Sequence, residues 1–118
     1  MAKEKPQTFG LITEPTKMRP YIVRATKQDN FEDIWVQTMR AKDIGNLRKN
    51  IIATYKEQAL RIKDGIAFHI SSADGSKAKV GSLYIWSTAM GNAVFHWMTN
   101  TSMYDVMANG ELYNRRRL

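Results

Sequence analysis

The chain has 118 residues, 43% of them hydrophobic, no cysteine, and a formal charge of +7. That length fits one ordinary domain and not two. The apolar fraction excludes a wholly disordered chain, and the lack of thiols excludes disulfides and thiolate metal sites, which fits a reducing compartment.

No apolar run reaches the roughly 18 residues of a membrane span, and the charged start at Met1–Pro6 has no apolar stretch behind it as a secretory signal would. The expectation is a protein that stays in the cytoplasm and has no membrane partner. Positive charge favours acidic partners and nucleic acid. It is spread along the chain, and only Arg115, Arg116 and Arg117 form a block.

Residues 1–20 read as an extended arm, because Pro6, Pro15 and Pro20 remove backbone donors and resist helix. Phe9, Leu11 and Ile12 in this arm are candidates for docking on a partner. A single α/β (α+β) domain is expected over residues 21–110, followed by a basic tail at 111–118.

The domain opens with a short strand, Tyr21 to Ala25, centred on Ile22 and Val23. Asp29 or Asn30 then caps a helix. Phe31, Ile34, Trp35, Thr38 and Met39 recur at the spacing of one helical face, and Gly45 stops the helix. Asn46 caps a second amphipathic helix with Leu47, Ile51, Tyr55, Ala59 and Ile62 on its buried stripe, and Gly65 closes it. Two helices separated by a glycine would form a compact helical pair.

From Ile66 the period changes to two. Ile66, Phe68 and Ile70 alternate with Ala67 and His69, and Asp74-Gly75 supplies a hairpin turn. A return strand runs from Lys77 or Ala78 to Trp86, and a third strand from Ala93 to Thr99. This is a three-stranded antiparallel meander. Thr101 or Ser102 begins a short C-terminal helix with Ser102 and Asp105 spaced as a capping box, ended by Asn109-Gly110.

Catalytic signatures are absent from the sequence. His69 and His96 lack the clustered partners that a zinc site requires and read as half-exposed strand residues. Ser71, Ser72, Ser82 and Ser87 fall near His69, but none sits in a nucleophile-elbow pattern. Glu32, Asp33, Asp43, Glu57 and Asp64 read as solvated residues on helical polar faces. The glycines do not form a phosphate-binding loop. No catalytic residue, cofactor or metal is therefore expected.

Aromatic residues concentrate on the last two strands: Tyr84 and Trp86 share a face by alternation, as do Phe95 and Trp97. Such residues build a core, a protein interface or a platform for stacking bases. Together with Phe9, Leu11 and Ile12 they form the candidate protein-binding set. The candidate phosphate contacts are Arg48, Lys49, Lys56, Arg61, Arg115, Arg116 and Arg117.

The segment Ile22-Val23-Arg24-Ala25-Thr26, followed by Asp29, Phe31 and Ile34, resembles the opening strand and first helix of the GNAT acetyltransferase fold. Ile66 to Ile70, Asp74-Gly75 and Val80-Gly81 are similar to its second and third strands. More narrowly, Arg24, Thr26 and Lys27, then Asn30, Phe31 and Glu32, resemble the start of the acetyltransferase-like internal virion proteins of T7-like phages. Trp97 to Thr101 is similar to a later strand-to-helix junction of those proteins. The two matches place Ala93 to Thr99 as either the fourth or the fifth strand, and both remain open.

The resemblance implies a truncated GNAT-like domain. The family's glycine-rich pyrophosphate loop has no counterpart at residues 100–118, where Gly110 is the only glycine. The expected function is a non-enzymatic structural or protein-interaction protein, associated with a phage virion and bound to other chains in an assembly. A small nucleic-acid-binding or host-modulating protein is the first alternative. An acetyl-CoA-binding acetyltransferase is the second.

Overall fold

The computed structural model describes residues 17–108. Within them run strand β1 (Arg19–Lys27), strand β2 (Asp33–Ala41), helix α1 (Ile44–Arg61), and strands β3 (Ile66–Ser72), β4 (Gly81–Ser87) and β5 (Ala93–Thr99). A second helix, α2, occupies residues 103–108. The strands form one five-stranded sheet in the order β2-β1-β3-β4-β5, and every neighbouring pair is antiparallel. The fold class is α+β.

The helix expected from Phe31 onward is strand β2, so the pair of helices is not formed. Lys27 donates its N–H to the Glu32 carbonyl at 2.8 Å, and Phe31 donates to the Lys27 carbonyl at 2.8 Å. This tight turn is completed by Phe31 in the left-handed region, at φ 62°. It folds residues 33–41 back along β1. Ile34, Trp35, Val36 and Thr38 are the β-branched and aromatic types that pack well on a pleated surface.

A register shift beside Ala25 and Thr26 lets both Ile34 and Trp35 pack on the main core. Consecutive core residues in a bulged strand are what imitated a helical face. Asp33 accordingly begins β2, where it pairs with Arg24 at 2.7 Å, rather than lying on a helix.

Helix α1 starts two residues earlier than Asn46. Asp43 is its N-cap and accepts the Asn46 N–H at 2.8 Å, satisfying one of the orphan donors of the first turn. Gly45 lies inside the helix and does not end the preceding segment. Leu47, Ile51 and Ala59 are fully buried on one side of α1, which packs across the sheet against β4 and β2. Tyr55 of α1 joins Trp35 of β2 and Phe68 of β3 in a tilted aromatic trio with centroids 4.8 to 5.9 Å apart.

The chain leaves the helix through Asp64 (φ 62°) and Gly65 (φ 80°). A Cβ at Gly65 would strike the Ile85 carbonyl and Trp86, so glycine is required here by both space and conformation.

The sheet thus has a helix-covered face and a far face. Val23, Ala25, Ile66, Phe68, Ile70, Leu83 and Ile85 bury on the first. On the second, Val106 of α2 covers Ala67 and Tyr84, with Phe31, Trp86 and Met98 around them. The start of α2 is held by Ser102 and Asp105: Ser102 donates its N–H to Asp105 Oδ2 at 2.8 Å, and the Asp105 N–H reaches Ser102 Oγ at 3.4 Å.

Residues 19–20 belong to β1, so the extended arm does not reach as far as residue 20. Phe9, Leu11, Ile12, Asn109, Gly110 and the arginines at 115–117 lie outside the described residues.

Candidate functional site at the β5 edge

The aromatics divide between the two faces. Tyr84 pairs with His96 and Trp86 with Val94, whereas Leu83 pairs with Trp97 and Ile85 with Phe95. Tyr84 and Trp86 therefore line the far face, where Tyr84 is buried under α2 and stacks on His96 at 5.9 Å with only 5° between the rings. Phe95 and Trp97 lie on the helix side. No single aromatic face runs across the last two strands.

Phe95 and Trp97 meet the N-terminal half of α1. Together with Gly45, Arg48, Lys49, Ile52 and Leu83 they line a groove of about 280 Å³. The Trp97 ring is held from both sides. Gly81 lies beneath it, where a Cβ would collide with the indole, and the Arg48 guanidinium stands over it at 4.6 Å, a cation–π contact. Arg48 Nε is buried without a hydrogen-bond partner among the described residues, so ring contact is what holds this side chain. Phe95 remains 43% exposed.

The groove thus gathers Arg48 and Lys49 from the candidate phosphate contacts with Phe95 and Trp97 from the candidate protein-binding residues. Lys56 lies further along α1. Arg61 sits in its last turn, where a cation complements the helix dipole.

β5 is also a sheet edge. Flanking its ladder, Asn100 donates to the Val80 carbonyl and Thr88 to the Asn92 carbonyl, each at 2.9 Å. In an antiparallel pair, hydrogen-bonded and non-hydrogen-bonded residues alternate. With the β4–β5 register, Val94, His96 and Met98 therefore turn their backbone groups to β4. Ala93, Phe95, Trp97 and Thr99 turn theirs outward. The strand, Ala-Val-Phe-His-Trp-Met-Thr, carries no Asp, Glu, Lys, Arg or Pro. Edge strands are commonly guarded by charge, proline or a bulge. The opposite edge, β2, has Asp33 and Arg40 and the register shift against β1.

A second concave region, of about 330 Å³, lies on the far face between Ile22, Arg24, His69, Ser71, Met103 and Tyr104. His69 is not half-exposed: it is buried at 6% exposure. Its Nε2 lies 2.9 Å from Thr26 Oγ1 and its Nδ1 3.0 Å from Ser82 Oγ, while Thr101 Oγ1 donates to Ser82 Oγ at 2.9 Å. Burial, and then the neighbouring Arg24 charge, push the imidazole down from 6.5 to about 4 against the opposing pull of Asp33, so it is neutral near pH 7.

A serine beside a histidine is the start of a nucleophile–base pair. Ser82, however, is fully buried and hydrogen-bonded to Thr101 as well as His69, so its oxygen does not face the cavity. The group is an interstrand clamp joining β1, β3, β4 and the segment after β5.

The described residues contain no cluster of three or more His, Cys, Asp or Glu side chains that could hold a metal ion. No helix among them is long and apolar enough to cross a membrane. Comparison of the chain with protein-family models, with curated proteins and with solved structures found no match.

Proposed function

We propose that the chain is a non-enzymatic protein-interaction module that works through the β5 edge and the groove beside it. The observation that carries this reading is the coincidence of outward-facing backbone groups, an uncharged apolar strand and a groove holding the half-exposed Phe95. Strand addition to such an edge supplies main-chain hydrogen bonds, and an adjacent groove takes alternate side chains of the added strand. A structural place in a phage particle is part of the same proposal. Its support is the resemblance of Ile22 to Thr26 to the opening strand of the acetyltransferase-like virion proteins; the residues that resemble their first helix form strand β2 and the turn before it here.

The test is a pull-down from the native source with the full chain and its Phe95→Lys variant. Companions lost with the variant support the reading. The same companions recovered by a folded variant would remove the β5 edge from it.

The second reading is nucleic-acid binding, favoured by the presence of Arg48 and Lys49 beside Phe95 and Trp97. A single strand could stack on the Phe95 ring while its phosphates meet the cations. Binding of a mixed-sequence oligonucleotide that weakens steeply with salt and is lost in Lys49→Glu would establish it. No binding at low salt would exclude it.

A further inference from the structure

We infer that the occupant of the β5 edge is a second copy of this chain, paired antiparallel through β5 so that the two sheets become one. This rests on the reading of β5 as the interaction site and names its partner.

The argument is one of self-complementarity. Ala93, Phe95, Trp97 and Thr99 face outward, and residues with the same outward parity are those that pair when two such edges meet. One antiparallel register pairs all of residues 93–99. It places His96 on the two-fold axis, Phe95 of each copy opposite Trp97 of the other, Val94 opposite Met98, and Ala93 opposite Thr99.

His96 faces its own counterpart, and each large apolar side chain meets a different apolar one. The two Phe95–Trp97 pairs fall on the helix side, where cross-strand aromatic pairs stabilise a sheet. They also lie beside the groove, so the Phe95 ring, exposed in the single chain, gains cover from the other copy. No charged residue of either strand opposes another. A two-fold axis perpendicular to the sheet keeps both α1 helices on one face and closes the assembly as a dimer. It also brings Arg48 and Lys49 of the two copies to the same seam, so salt, which screens like charges, strengthens the pairing. The opposite salt dependence belongs to phosphate contact.

The chain has no native cysteine, which allows the register to be read chemically. Facing residues of a non-hydrogen-bonded pair approach to about 4.5 Å between Cα atoms, close enough for a disulfide. Mild oxidation of full-length His96→Cys should give a covalent dimer. Val94→Cys alone should not, and an equimolar mixture of Val94→Cys and Met98→Cys should cross-link each to the other.

In sedimentation velocity the unmodified chain should show a concentration-dependent dimer that tightens with salt. Phe95→Lys, folded by circular dichroism, should raise its dissociation constant at least about tenfold, since a lysine on an edge opposes pairing. A folded chain that remains monomeric, or His96→Cys that fails to cross-link, overturns the second copy as occupant. If Phe95-dependent companions still appear in the pull-down, the β5 edge stands as an interaction site for another partner. If they are also absent, that reading falls as well.

Discussion

At the scale of single residues, two of the buried polar side chains, His69 and Gln28, behave oppositely. His69 has both ring nitrogens engaged and is held neutral. Its pKa is lowered in the folded chain to about 4 from 6.5. Above the unfolded value neither state binds the proton, so the clamp contributes fully. As pH falls from 6.5 toward 4 the unfolded chain takes up a proton that the folded one refuses, and stability falls by up to about 3 kcal/mol. Chemical denaturation at a series of pH values should show this slope. His69→Gln, which does not titrate, should flatten it; an unchanged slope in that variant would place its source elsewhere.

Gln28 is the contrasting case: 1% exposed, with neither amide atom hydrogen-bonded among the described residues. An unsatisfied buried polar group costs about 1–3 kcal/mol. Gln28→Leu should therefore raise the denaturation midpoint, and a lower midpoint would show that the amide is satisfied in solution.

At the scale of elements, the sequence is legible where one period runs undisturbed. Leu47, Ile51, Tyr55 and Ala59 keep helical spacing because α1 presents one continuous side to the sheet. Ile66 to Ile70 keeps its alternating pattern because β3 is a central strand between two faces. Legibility failed at residues 31–43, where the bulge brings Ile34 and Trp35 to the same core and the turn depends on a left-handed Phe31 that no residue preference announces.

The β3–β4 register was hidden for a related reason. A tight hairpin on Asp74-Gly75 would set His69 against Val80. The longer connection that forms sets it against Ser82, which is why the clamp could not be read from spacing. The groove was legible only as two separate lists, one basic and one aromatic, because their union depends on α1 lying across β4. The cap of α1 makes an element-scale prediction. Asp43→Ala removes the acceptor for the Asn46 N–H and should lower stability by about 1 kcal/mol, whereas Asp43→Asn should restore most of it in the same denaturation assay.

At the scale of the molecule, two cores of unequal extent share one sheet. The larger joins α1 to all five strands, while the smaller rests on Ala67, Tyr84 and Val106. α2 is tied down by Val106, by the Ser102–Asp105 cap and by the Lys79–Asp105 ion pair at 3.0 Å. These contacts are local, so losing them need not open the sheet. Phe68 is different. It is fully buried as the β3 member of the aromatic trio, and its truncation leaves a cavity under α1.

Phe68→Ala should lower global stability by about 3–5 kcal/mol and accelerate amide exchange throughout β1, β3 and β4. Val106→Asp should accelerate exchange within residues 103–108 and expose Tyr84, while the β1 and β3 amides keep their protection. Because Tyr84 supports the ring of His96, the same variant loosens the far side of β5 without touching Phe95 or Trp97. If exchange in β1 and β3 rises as much in Val106→Asp as in Phe68→Ala, the two cores form a single cooperative unit and α2 is not a separable cover.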